Sequence, residues 1–136
     1  MTDTANWALQ KSVFAALTGD GALLALLGGP RVYDDVPQEA PFPYVTFGQT
    51  TARDWSTGTE EGEEHVLTLH VWSDGAGRRQ ANAILSEVRR VLKSTPLTLS
   101  GHRLINLRLE FAEARREADG ETYHGLARYR AVTEPL

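Results

Sequence analysis

The sequence predicts an α+β fold: a mainly antiparallel sheet of about four to five strands, one long helix packed on one face, an N-terminal helix and a short apolar helix. Three observations carry this. Residues 66–72 alternate, with Leu67, Leu69 and Val71 on one face and Val66, Thr68, His70 and Trp72 on the other, the period of a strand. After Ser73-Asp74-Gly75 the period changes, and Ala81, Ile84, Leu85, Val88, Val91 and Leu92 fall on one helical stripe. Two further alternating stretches, residues 102–114 and 122–133, flank an Asp119-Gly120 turn signal.

Taken in order, residues 4–17 read as a helix capped by Thr4 or Asp3, with Leu9, Val13, Ala16 and Leu17 as its apolar stripe. Residues 22–27, ALLALL, read as a short helix capped by Asp20 and closed by Gly28-Gly29-Pro30, plugging one end of the core. Arg31 to Asp35 suits a short strand. Pro37, Pro41 and Pro43 hold the next stretch extended and bar a central paired strand there. A strand proper begins near Tyr44 and runs towards Arg53. Residues 53–64, RDWSTGTEEGEE, read as a mobile, acidic hairpin tip. Trp55 within it either folds back onto the sheet or awaits a partner. The long helix ends at Thr95-Pro96, because the residue before proline avoids the α region. Burying its six apolar side chains is worth on the order of 10 kcal/mol gross. In the stretch from His102, Ile105, Leu107, Leu109 and Phe111 are expected to face one way. In the last, Tyr123, Gly125, Ala127, Tyr129 and Ala131 oppose His124, Leu126, Arg128, Arg130 and Val132.

The 136 residues suit a single domain, 1–136, and 41% hydrophobic against 24% charged residues allows a modest core. Cysteine is absent, which excludes disulfides, thiol catalysis and thiolate zinc sites. No apolar run reaches the length of a membrane span, and the N-terminal stretch lacks the charge and apolar pattern of a secretory signal. A net charge of −4 argues against a general grip on DNA.

No catalytic constellation assembles. His65, His70, His102 and His124 are scattered and fit no HExxH or HxH spacing, so no metal site is expected. Glu60, Glu61, Glu63 and Glu64 lie in a glycine-interrupted loop, whereas a general acid needs a rigid, buried carboxyl. No serine sits in a nucleophile elbow. Gly75-Ala76-Gly77 before a helix is explained by a tight turn rather than a phosphate cradle. The chain is therefore read as a non-enzyme without cofactor. An enzyme or small-ligand binder would need a concave polar cluster that no spacing here supplies.

Arginine stands out. Arg78, Arg79, Arg89 and Arg90 stud the polar face of the long helix, and Arg115, Arg116, Arg128 and Arg130 gather near the terminal hairpin. Arginine is enriched at protein–protein surfaces. A basic face and a separate acidic loop allow head-to-tail association of copies, and such contacts close into rings. The residues expected at subunit or partner contacts are Arg53, Asp54, Trp55, Glu60, Glu61, Arg78, Arg79, Arg89 and Arg90.

Two patterns carry a family resemblance. One is Asp34, Pro37, Ala40, Pro43, Tyr44, Val45 and Gly48 in a D-x-x-P-x-x-A-x-x-P-Y-V-x-x-G array. The other is the strand–turn–helix from Leu67 to Val88, L-x-L-x-V-W-S-D-x-x-G…A-x-x-I-L-x-x-V. The chain resembles the tail-completion, or tail-terminator, proteins of long-tailed phages, prophages and gene transfer agents. The resemblance implies a structural virion protein at the head–tail junction, made in the bacterial host cytoplasm. It implies a homo-hexameric ring that caps the head-proximal end of the tail tube, stops tube polymerisation and joins the tail to the head connector. The implied partners are further copies, the major tail tube protein and a head-side connector or stopper protein. DNA would pass through the lumen without specific binding. The alternative is another head–tail joining (neck) or minor tail protein of similar fold. The isolated chain can be a monomer if ring closure needs the tube as template.

Overall fold

The computed structural model describes residues 3–75 and 77–136; Ala76, within the glycine turn, lies outside them. Helix α1 spans Ala5–Thr18, and Thr4 Oγ1 accepts the Trp7 N–H at 3.2 Å to cap it. Helix α2 spans Gly21–Leu27; Asp20 caps it through the Leu23 N–H at 2.9 Å. It closes at Gly28, whose φ of 84° is a left-handed conformation that glycine adopts without penalty. Strands follow at Val32–Tyr33 (β1), Tyr44–Asp54 (β2) and Glu63–Asp74 (β3). Then come helix α3, Gly77–Ser94, and strands β4, His102–Arg116, and β5, Thr122–Pro135. Pro37, Pro41 and Pro43 all fall between β1 and β2, outside any strand.

The five strands form one mixed sheet in the order β1-β2-β3-β5-β4. Only β1 and β2 run parallel; the other pairs are antiparallel. The helices pack on each other and on one face of the sheet. That face carries Leu67, Leu69 and Val71 of β3 with Ala127, Tyr129 and Ala131 of β5, all at most 2% exposed. The six-residue stripe of α3 is buried against them as its periodicity requires. Gly125 sits under α3: a Cβ there would meet Leu85 Cδ1 at 3.0 Å and Val71 Cβ at 3.2 Å. Gly75 and Gly77 have φ of 58° and 67°, which supports the turn reading of that segment.

Strand β4 departs from simple alternation. Its register against β5 shifts between Leu104 and Asn106 and again between Leu109 and Phe111. Each bulge inserts one residue and reverses the faces beyond it. Leu104, Leu107, Leu109 and Ala114 therefore pack on the core, while Ile105 and Phe111 are 51% and 42% exposed. The expected common face for Ile105, Leu107, Leu109 and Phe111 is corrected accordingly.

Candidate assembly surfaces

Three surfaces hold the residues singled out above. The first is the β2–β3 hairpin. Arg53 opposes Glu64 in register and pairs with it, and Arg130 from β5 reaches the same carboxylate at 2.5 Å. These two cations, Arg130 foremost, hold Glu64 below the usual carboxylate range. Trp55 folds back over Arg130, its ring centroid 4.3 Å from the guanidinium carbon, so it is stacked on the sheet while 48% exposed. Asp54 accepts from the Ser56 hydroxyl at 2.6 Å and from the Ser56 N–H at 3.0 Å, which lowers its pKa. Thr57 Oγ1 accepts the Glu60 N–H at 3.0 Å, and the Trp55 N–H reaches Gly62 O at 2.8 Å. The tip is thus a hydrogen-bonded turn, more built than its glycines suggest. Glu60 and Glu61 project from it, exposed, without an ion pair among the described residues.

The outer face of α3 is the second surface, and the fold divides it. Arg78 lies over the Tyr123 ring at 6.0 Å, and Arg79 is exposed beside it. Arg90 is occupied within the chain: it meets Asp20 at 2.6 Å and Glu87 at 2.8 Å. Asp20 is held below its ordinary range first by the Leu23 N–H and then by Arg90. Arg90 therefore ties α3 to the cap of α2. Arg89, its neighbour, has no ion pair among the described residues. The hairpin set and the α3 set are not brought together in one protomer.

Sequence reasoning missed the third surface, the open face of the sheet. His70 Nδ1 lies 2.7 Å from His124 Nε2, and His124 Nδ1 lies 2.9 Å from Glu117 Oε1. Trp72 stacks on His124 at 4.1 Å and donates its indole N–H to Thr46 Oγ1 at 3.2 Å. Gly48 leaves room for His70, since a Cβ there would meet Nε2 at 2.5 Å. Arg128 lies over Phe111 at 5.3 Å. The alternation of β3 and β5 hinted at this face; only their register, Trp72 opposite His124, assembles it. Helix α1 adds an apolar cleft of about 420 Å³ lined by Trp7, Phe14 and Phe47. Among the described residues no group of three or more His, Asp or Glu side chains is placed to hold a metal ion, and no helix is long and apolar enough to cross a membrane.

A family model described as tail completion protein gp17 matches residues 11–134. Tail completion protein gp17 of Bacillus phage SPP1 is 29% identical over 126 residues, which cover 93% of this chain and 92% of the phage protein. A chain from the virion of a native gene transfer agent particle superposes with a TM-score of 0.86 at 34% identity, over 96% of this chain and 98% of that one. The structure of bacteriophage SPP1 gp17 superposes with a TM-score of 0.65 at 27% identity, over 93% and 89%. Fold and sequence together define a structural virion protein of the tail completion class, which is not an enzyme class. The chain belongs to the tail completion protein gp17 family.

Proposed function

We propose that this chain, acting as one domain over 1–136, forms a homo-hexameric ring at the head-proximal end of the tail tube. There it stops tube polymerisation and offers the surface that joins the tail to a head-side connector. The observation that carries this reading is the separation of charge within one fold. Among the described residues, Glu60 and Glu61 of the acidic hairpin tip and Arg89 of α3 form no ion pair with each other or with any other side chain. Copies arranged head to tail can pair them, and such a contact closes into a ring where its rotation brings the last copy back to the first. The fold shared with a chain of a gene transfer agent virion supports the same placement. The tube protein, the connector and further copies are the partners, and DNA crosses the lumen without specific contacts.

Microscopy of particles from a strain lacking this chain tests the reading. Tails of uncontrolled length, unattached to heads, are the expected result. Tails of normal length beside unjoined heads would assign the chain to the neck instead.

A further inference from the structure

The sheet is open at both ends. Strand β4 pairs with β5 alone; apart from the bridge between His102 and Leu99, its outer edge has no backbone partner among the described residues from Arg103 to Arg116. At the other end, β1 covers only Val45 and Thr46 of β2. From Gly48 to Asp54, β2 has no second strand beside it among the described residues, and the Asn6 amide of α1 reaches this stretch only at Thr50 O, 3.3 Å away. A cleft of about 240 Å³ lies between α1 and β2 at Gly48 and Thr50. An unpaired strand edge is a row of donors and acceptors ready to take another strand.

The two open edges lie at one height of the sheet. Ala52 pairs with His65, His65 with Ala131 and Ala131 with Leu107; Thr50 leads through Leu67 and Tyr129 to Leu109 in the same way. The chemistry of their two faces matches as well. On the helix side, β4 carries Leu104, Leu107 and Leu109, all half-buried. On that side of the β2 end, the apolar cleft of about 420 Å³ leaves Trp7 and Phe14 47% and 43% exposed. On the opposite face, β4 turns Asn106 and Arg108 outward, and β2 turns Thr51 and Arg53 outward. A strand added beside β2 must put an apolar row on the helix side and a polar row on the open face. Strand β4 is divided in that way and is itself unpaired on one edge, so the strand that fits is β4 of a second copy.

We propose that β4 of one copy pairs with the free edge of β2, Gly48–Asp54, in the next, so that one sheet runs from protomer to protomer. Strands β2, β3, β5 and β4 alternate in direction across the sheet, so β4 runs opposite to β2. Copies related by rotation about a ring axis keep that sense, and the joint is antiparallel. The two edges are different patches, so the contact is heterologous and propagates in one direction round a ring. Closure leaves no edge of this kind exposed. The bulges after Leu104 and Leu109 bend β4 and increase its twist, and a sheet must curve to close. The proposal rests on the ring reading above and names the backbone contact that closes it.

The chain has no cysteine, so an introduced pair reports cleanly. Thr51 and Arg108 are exposed on the same face at the same height, through Val66 and Arg130. Thr51→Cys is combined in turn with Asn106→Cys, Arg108→Cys and Phe111→Cys, successive open-face positions that allow for slip of the joint either way. Tails assembled with these double variants and then oxidised should yield a ladder of disulfide-linked multiples from one combination, absent from every single variant. A ring visible at the tail end with no ladder from any combination overturns the strand joint and leaves the ring standing. No ring on tails built with the natural chain overturns both. Amide exchange of the natural chain needs no variant. Only alternate amides of a strand point to one edge, so every second amide of Gly48–Asp54 and of Arg103–Phe111 should exchange several-fold more slowly in tails than in the purified chain. Unchanged exchange of either segment in tails that carry the ring overturns the joint.

Discussion

His65 is fully buried, and both of its ring nitrogens are used: Nδ1 lies 2.7 Å from Asn6 Oδ1, and Nε2 lies 2.8 Å from Thr133 Oγ1. The Asn6 amide nitrogen donates to Thr50 O at 3.3 Å, so its oxygen is left to accept from Nδ1–H, and Nε2 accepts from the Thr133 hydroxyl. This neutral ring ties α1, β2, β3 and β5 together. Burial holds its pKa below the ordinary imidazole value, partly countered by Glu63 and reinforced by His102. Burial, with His124 and Arg115, lowers His70 too. A base depressed in the fold binds protons more weakly there than in the unfolded chain. Its stabilising effect is complete above about pH 6.5 and is lost as pH falls towards the folded-state values. Thermal melts at about pH 7.5 and about pH 5.5 should show a clear fall for the natural chain and a smaller one for His65→Gln. Equal falls would exonerate His65. The sequence placed His65 at the head of a strand but could not show its role. Its partners lie 59 and 68 residues away, and only folding introduces them.

Elements were legible where one period dominates. The stripe of α3 and the alternation of β3 were each dictated by a burial need on one side, and both bury as their patterns demand. Strand β4 lies at a sheet edge with only β5 beside it, and there two bulges re-aim the side chains. Periodicity cannot register a bulge, because the inserted residue leaves no gap in the sequence. The helix–sheet contact is where substitutions should cost most. Ile84→Ala removes a fully buried side chain of α3, and a loss of about 2–5 kcal/mol in denaturant unfolding is expected. Gly125→Ala adds a single carbon against Leu85 and Val71, and overpacking of about 1–3 kcal/mol is expected there. A neutral Gly125→Ala would mean that α3 can lift from β5 without penalty.

At the scale of the whole molecule, the sequence treated Arg89 and Arg90 alike, as two charges on one helix face. The fold gives them different neighbours. Arg90 is taken up by Asp20 and Glu87 and so serves the protomer, while Arg89, one turn before Lys93, has no ion pair among the described residues. The distinction depends on Asp20, 70 residues away, which no local pattern connects to α3. The two charge reversals should therefore separate stability from assembly. Arg90→Glu removes the tie between α2 and α3 and sets a like charge against the carboxylate of Asp20, so its melting temperature should fall. Its tails should suffer only as far as folded protein is lost. Arg89→Glu relieves the repulsion with Lys93 at i, i+4 and should melt at the natural temperature or slightly above it. It nonetheless places a carboxylate where the proposed contact needs a cation, so tails made with it should lose their terminal ring and their length control. Melting of the purified variants, read beside microscopy of tails from a complemented deletion strain, checks both halves. Normal tails with Arg89→Glu would remove the C-terminal half of α3 from the subunit contact, whatever the melting curves show.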